Sequence, residues 1–243
     1  MFALYKKEIA AFLDTLIGYV VILVFLLITG LFLWVFPTEY NILDFGYANL
    51  DSFFMLAPFV FLFLIPAISM RLFSEEKKTG TIELLFTRPL SDWQIIGAKY
   101  LAGLTLVIVA IIPSLIYVFT VYWFSFPQGN FDFGIVWGSY IGLVFLASGF
   151  VAIGLFSSAV TDNQIIAFIL GISLSAFAYL GFEIIYSLDL FGHFDLFVQS
   201  IGIQAHYTSI RRGVIDFRDL IYFLSLTGLF LLFTHTLLSK RKW

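Results

Sequence analysis

No cysteine occurs among the 243 residues. That absence excludes disulfides and thiolate metal sites and leaves the compartment open. Charge is scarce as well: 12% of residues are Asp, Glu, Lys or Arg, against 61% hydrophobic. No phosphate loop of the G-x-x-x-x-G-K-[ST] kind is present, so the chain is not an ATPase by that route. Neither HExxH nor GxSxG occurs, and no constellation supports enzyme chemistry. The three histidines, His193, His206 and His235, stand far apart and read as separate interfacial residues; no metal site is expected. Ionisable residues that would mark an ion pathway inside a membrane are almost missing, with Asp162 and Glu183 falling near helix ends. The net charge of −3 carries little by itself, because only its distribution along the chain has meaning.

What is present is a series of long uncharged runs. None of the stretches between Asp14 and Glu39, Asp51 and Arg71, Lys99 and Asp132, Asp132 and Asp162, Asp162 and Glu183, or Asp219 and Lys240 contains a charge. Each is long enough to cross a hydrocarbon core of about 30 Å as a helix. Backbone polar groups in lipid are satisfied only by helices or closed barrels, and the strict alternation of a barrel is missing. The expectation is an all-α integral membrane protein with six spans, at about 15–36, 53–72, 94–124, 134–158, 164–186 and 219–238. These and short loops use nearly the whole length, leaving one membrane domain over 1–243 and no soluble catalytic domain. The first run follows Lys6 and Lys7 but is too long for a signal-peptide core and lacks a cleavage site, so it reads as a retained helix.

An even number of spans puts both termini on one side. Lys6, Lys7, Arg71, Lys77, Lys78, Arg88, Lys99, Lys240, Arg241 and Lys242 fall on that side, against Arg211, Arg212 and Arg218 on the other. The positive-inside rule makes it the cytoplasm. Trp34, Phe36, Trp93, Tyr122, Trp123 and Trp137 sit at span ends as interfacial anchors.

The segment at 74–92, between the second and third spans, carries the most information. Glu75, Glu76, Lys77 and Lys78 read as a charged, solvated end to the second span. Gly80 permits a backbone break, and Thr79 or Thr81 can cap a short helix whose first turn holds Glu83. Pro89 disfavours helix at Arg88, and Ser91 with Gln94 forms a capping box that starts the third span. A short helix containing Ile82, Leu84, Leu85 and Phe86 is therefore expected between two spans. Two readings stand: a helix lying on headgroups, or a docking element for a cytosolic partner.

The order Arg71…Glu75-Glu76-Lys77…Gly80-Thr81-Ile82-Glu83-Leu84-Leu85…Pro89-Leu90-Ser91…Lys99 resembles the signature of ABC-2 type transporter permeases. The run from Arg212-Gly-Val-Ile-Asp216 through Tyr222 is similar to the approach to the last span in that family. More narrowly it resembles the gliding-motility-associated permease subunits. The resemblance implies a coupling helix that seats in a groove of a separate ATP-binding subunit, with Glu75, Glu76, Gly80, Thr81, Glu83, Leu84 and Leu85 forming the contact. It implies a second permease chain or an auxiliary membrane protein as a further partner. No cofactor is expected in this chain itself; ATP and Mg would lie on the partner ATPase. Membrane lipids are the remaining partners, and no nucleic acid is expected. The Glu-Ala-Ala loop of binding-protein-dependent importers is not apparent, and Glu8-Ile9-Ala10-Ala11 stands at the wrong place for it; export or mechanical work is favoured. Two alternatives remain open: mechanotransmission to a periplasmic partner without cargo, and a stand-alone carrier.

Gly138-x-x-x-Gly142 admits a close neighbour to the fourth span. Pro58, Pro66 and Pro113 remove backbone donors and tend to kink the second and third spans. The outer segment at 187–218 is too polar to cross. Phe194, Phe197, Val198 and Ile201 recur in it at helical spacing, so part of it is expected as an amphipathic helix. Arg211, Arg212 and Arg218 are expected to meet Asp216, Asp219 or lipid phosphates.

Overall fold

Charge-free runs can satisfy their own backbone only as helix, and all regular structure among the described residues is helical. The computed structural model describes residues 1–46, 48–87, 89–127, 130–189 and 192–240. An N-terminal helix α1 (Phe2–Leu13) turns by 64° into the apolar α2 (Leu16–Trp34). A single turn, α3 (Ile42–Phe45), precedes α4 (Asp51–Ser69), α5 (Arg71–Lys78) and α6 (Thr81–Phe86). Then come α7 (Asp92–Ile111), α8 (Leu115–Phe124), α9 (Phe133–Val160), α10 (Gln164–Ala176) and α11 (Phe182–Ser187). Two short helices, α12 (Asp195–Ile201) and α13 (Ile203–Arg211), lead to α14 (Phe217–Ser239).

Among the described residues, five helical stretches are long and apolar enough to cross a membrane: Asp51–Lys78, Asp92–Phe124, Phe133–Val160, Gln164–Ser187 and Phe217–Ser239. The bent pair of α1 and α2 brings the number to six when counted as one span. The chain is thus a multi-pass membrane protein of five or six spans.

Span starts follow from local chemistry. Asp132, Asn163 and Asp216 each accept backbone N–H groups from the first turns of α9, α10 and α14, supplying acceptors where a helix has none of its own. The expected Ser91–Gln94 capping box is present at α7. The prolines act unequally. Pro58 and Pro66 lie inside an uninterrupted α4, whereas Pro113 falls in the short 3₁₀ turn Ile112–Ser114 that separates α7 from α8. A π turn, Phe177–Gly181, interrupts the fifth span where no proline occurs.

The 28-residue α9 is the axis of the bundle, packed by α4, α7, α10, α13 and α14. At 1.5 Å per residue it runs about 42 Å. Small residues make that crowding possible: a Cβ on Gly154 would lie 2.8 Å from the Cβ of Ser69 on α4. Buried rings of Phe25, Phe53, Phe61, Phe54 and Tyr140 fill the space between α2, α4 and α9. Two ends of the bundle can be told apart. The proximal end holds α1, α5, α6, the start of α7 and the finish of α14, where Trp93 stacks on His235 at 4.7 Å. The distal end holds α12 and α13.

Candidate functional site

At the proximal end, α4 gives way to α5 at Met70, and α9 secures the junction. The hydroxyl of Ser158, fully buried, accepts from the Phe73 and Ser74 amides at 2.9 and 3.0 Å and donates to the Met70 carbonyl at 2.8 Å. Lys77 donates to the Ala159 carbonyl, fixing the same helix to the last turn of α9. Beyond Lys78 the chain reverses. Thr79 donates to the Glu75 carbonyl at 2.9 Å and so closes α5. Gly80, at φ +71°, takes the left-handed conformation that L side chains rarely adopt. Neither threonine side chain caps α6: Gly80 occupies that position and Thr81 is the first helical residue. The short helix itself is where the sequence expects it. Ile82 and Leu85 turn inward, while Thr81, Glu83 and Leu84 are exposed, Leu84 at 67%.

The expectation of a solvated Glu75–Lys78 run needs correction. Glu76 is 12% exposed, and its carboxylate lies between two lysines. Lys7 of α1 donates to Oε1 at 2.9 Å, and Lys99 of α7 stands 2.9 Å from Oε2. The latter contact is an ion pair by distance, with angles outside the hydrogen-bonding range. Lys99 is fully buried; it donates to Glu8 of α1 at 2.9 Å and to the Leu72 carbonyl, and it lies over the Phe73 ring. Two lysines and two glutamates thus form a group of zero net charge joining α1, α5 and α7. Removing one member would strand buried charge. Glu75, by contrast, pairs within its own helix with Arg71 at 2.8 Å.

Of the residues expected to face a partner, then, Gly80, Thr81, Glu83 and Leu84 lie on the exposed side of the segment, Glu75 is half-buried, and Glu76 and Leu85 point inward. A cleft of about 500 Å³ opens between α1 and α6, lined by Leu4, Lys7, Glu76, Thr81, Leu84 and Leu85 among others. Arg88, Arg241, Lys242 and the side chain of His193 lie outside the described residues.

The distal end has its own connections. The close neighbour of Gly138 and Gly142 is the segment after the fifth span. A Cβ on Gly138 would lie 3.0 Å from the Gly213 Cα, and one on Gly142 2.7 Å from Ile210. Asp216 and Asp219, the aspartates expected to meet the arginines, have other partners, and Arg211 pairs with a different aspartate. Arg211 meets Asp51 at 3.3 Å, Asp216 caps α14, and Asp219 binds His206. His206 is therefore not an isolated histidine: Nδ1 lies 2.6 Å from Asp219 Oδ1, Nε2 lies 2.9 Å from the Ser200 carbonyl, and the ring stacks on Tyr222 at 3.9 Å. The helix expected from the spacing of Phe194, Phe197, Val198 and Ile201 forms as α12, with Phe194, Phe197 and Ile201 facing away from the bundle and Asp195 buried.

The sequence reading misses Glu8 and Ser158, which carry no motif; Lys99 falls within the signature run but not in its buried pairing. The one available signal was Lys99, a lone base within the apolar opening of α7.

Comparison with known proteins returns one family. Residues 37–202, from just before α3 to just after α12, match the description "ABC-2 family transporter protein". No curated protein matches the chain at a significant level. The match covers well over half of the sequence and includes the whole stretch from α4 through α6 into α7. On that match the chain, a helical bundle of five or six apolar spans, belongs to the ABC-2 family of transporter proteins.

Proposed function

We propose that the chain is the permease subunit of an ATP-driven ABC transporter of the export or gliding-motility-associated branch, with Thr81–Phe86 as its coupling helix. The observation that carries this reading is the presentation of that helix. Ile82 and Leu85 anchor it inward, Gly80 sets its reversal, and Glu83 and Leu84 face away from the bundle. Family membership implies an ATP-binding partner subunit, and an exposed acid beside an exposed leucine suits a contact with a polar rim around an apolar seat. The proximal end is then cytoplasmic, an orientation that the distribution of lysine and arginine supports, and the membrane is the inner membrane. ATP and Mg act on the partner. A second permease chain or an auxiliary membrane protein completes the assembly.

Motion enters through α5 and α6. Closure of the ATPases displaces α6. Because α5 is fastened to α9 through Ser158 and Lys77, the second and fourth spans receive the displacement together, as packed helices shift in allosteric transitions. A second reading keeps this drive but gives it no cargo: the complex would act mechanically on a periplasmic partner. The outward-facing Phe194, Leu196 and Phe197 of the distal end favour it. ATP turnover in reconstituted vesicles that remodels such a partner with no solute flux separates the two.

Glu83→Lys and Leu84→Asp test the coupling helix, since both side chains are exposed and their replacement leaves the bundle intact. Each is expected to abolish association with the ATPase or its ATP-dependent activity. Retention of both assembly and activity in both variants overturns the assignment.

A further inference from the structure

Lys99 has no reason to be charged and buried if α1 needs only to adhere to the bundle. Apolar residues of similar volume would hold it as well or better, because taking an ammonium and two carboxylates out of water offsets much of their mutual attraction. What such a group provides is register, the best-attested use of buried ionic clusters. Packing of α1 by its buried Leu4 and Phe12 tolerates a slide of the helix, whereas ion contacts of 2.9 Å from one ammonium to carboxylates on two other helices do not. The group also sits at a telling place. Glu76 lies four residues before Gly80, on the helix that carries the coupling segment, and Lys7 and Glu76 line the cleft shared by α1 and α6.

We infer that Lys99, Glu8 and Glu76 form a charge-registered latch that makes α1, α5–α6 and the start of α7 move as one body, so that the N-terminal helix belongs to the element that receives force from the ATPase. Lys99 is its positioning residue, acting through the two carboxylates rather than by touching any partner. The latch stands on geometry alone; its role in transmission rests on the coupling assignment above.

The cysteine-free chain allows two labels to be placed without background. Nitroxides at K6C on α1 and K78C at the end of α5, both exposed positions, report the α1–α5 distance by electron paramagnetic resonance in the membrane. The starting protein is expected to give one narrow distribution. K99E leaves three carboxylates facing Lys7 and is expected to broaden it. E8K/K99E restores two acids and two bases and is expected to narrow it again. In the complex with the ATP-binding subunit, K99E should lower permease-stimulated ATPase activity at least about fivefold, the lower end of common coupling energies. The double variant should recover to within about twofold. Should K99E fail to assemble in the membrane, E8Q provides the same distance test, because it removes the carboxylate that α1 offers Lys99 while keeping the side chain's shape and the Lys99–Glu76 contact. A K99E or E8Q distribution as narrow as that of the starting protein overturns the latch. Distances that broaden and recover as described, with ATPase activity indifferent to every variant, uphold the latch and overturn its role in transmission, while the coupling assignment is decided separately by Glu83→Lys and Leu84→Asp.

Discussion

Ser158→Ala removes one oxygen from the point where the second span passes into the helix leading to α6. The Phe73 amide lies in the first turn of α5, where the helix supplies no acceptor of its own, and Ser158 provides one at 2.9 Å. The Ser74 amide shares that oxygen at 3.0 Å. The Met70 carbonyl loses the serine proton but keeps the Ser74 hydroxyl, so its loss is partial. Serine 158 is fully buried, and water does not readily replace it. A buried donor left without a partner costs about 1–3 kcal/mol, and alanine opens little additional space. At about 1.4 kcal/mol per factor of ten, local opening of α5 should become roughly 5- to 150-fold more frequent. Amide hydrogen exchange over residues 71–78 reads this directly, with α10 as an internal reference whose exchange should not change. If Ser158→Ala leaves exchange of the Phe73 and Ser74 amides unaltered, Ser158 does not hold the junction, and its part in the transmission path through α9 is refuted.

Other expectations follow from single contacts. Gly213→Ala meets two obstacles, a φ of +81° and a Cβ only 2.7 Å from the Ile135 Cα. Left-handed backbone costs about 1–2 kcal/mol and overpacking about 1–3 kcal/mol, so limited proteolysis should cut the segment at 203–216 faster than in the starting protein. His206→Phe keeps a ring against Tyr222 but removes the contacts to Asp219 and the Ser200 carbonyl. With Asp219 left buried, thermal unfolding should show a loss of about 1.5–3 kcal/mol, the range for hydrogen bonds to charged groups. Arg211→Ala should cost no more than about 1 kcal/mol in the same assay, because its partner Asp51 is half exposed and such pairs are weak.

How much of this was legible in the sequence depends on the range of the interaction. Span existence was readable, because membrane crossing demands long uncharged runs and the chain has them. Turn chemistry was readable where it is local: Gly80 does break the backbone, and Ser91 with Gln94 does open α7. The cap of α6 was misjudged, since Thr79 and Thr81 satisfy groups of the preceding helix and leave Gly80 at the cap position. Long-range partners were illegible. Glu8 and Lys99 are far apart in sequence, and nothing local marks them as a pair. Gly138 and Gly142 announced a close contact without naming Gly213 and Ile210 as the other side. The charge count misled at Glu76, because four consecutive charged residues read as solvated whereas the helix turns one of them under α1.

The claim that matters most is that this chain serves an ATPase through Thr81–Phe86. Affinity purification of the chain from its native membrane in mild detergent, followed by mass spectrometry and an ATPase assay, tests it most directly. The coupling assignment predicts a stoichiometric subunit bearing a G-x-x-x-x-G-K-[ST] loop, lost when Glu83→Lys and Leu84→Asp are introduced. A chain that purifies alone and without ATPase activity across several detergents, or one whose ATPase remains bound to both variants, would contradict it.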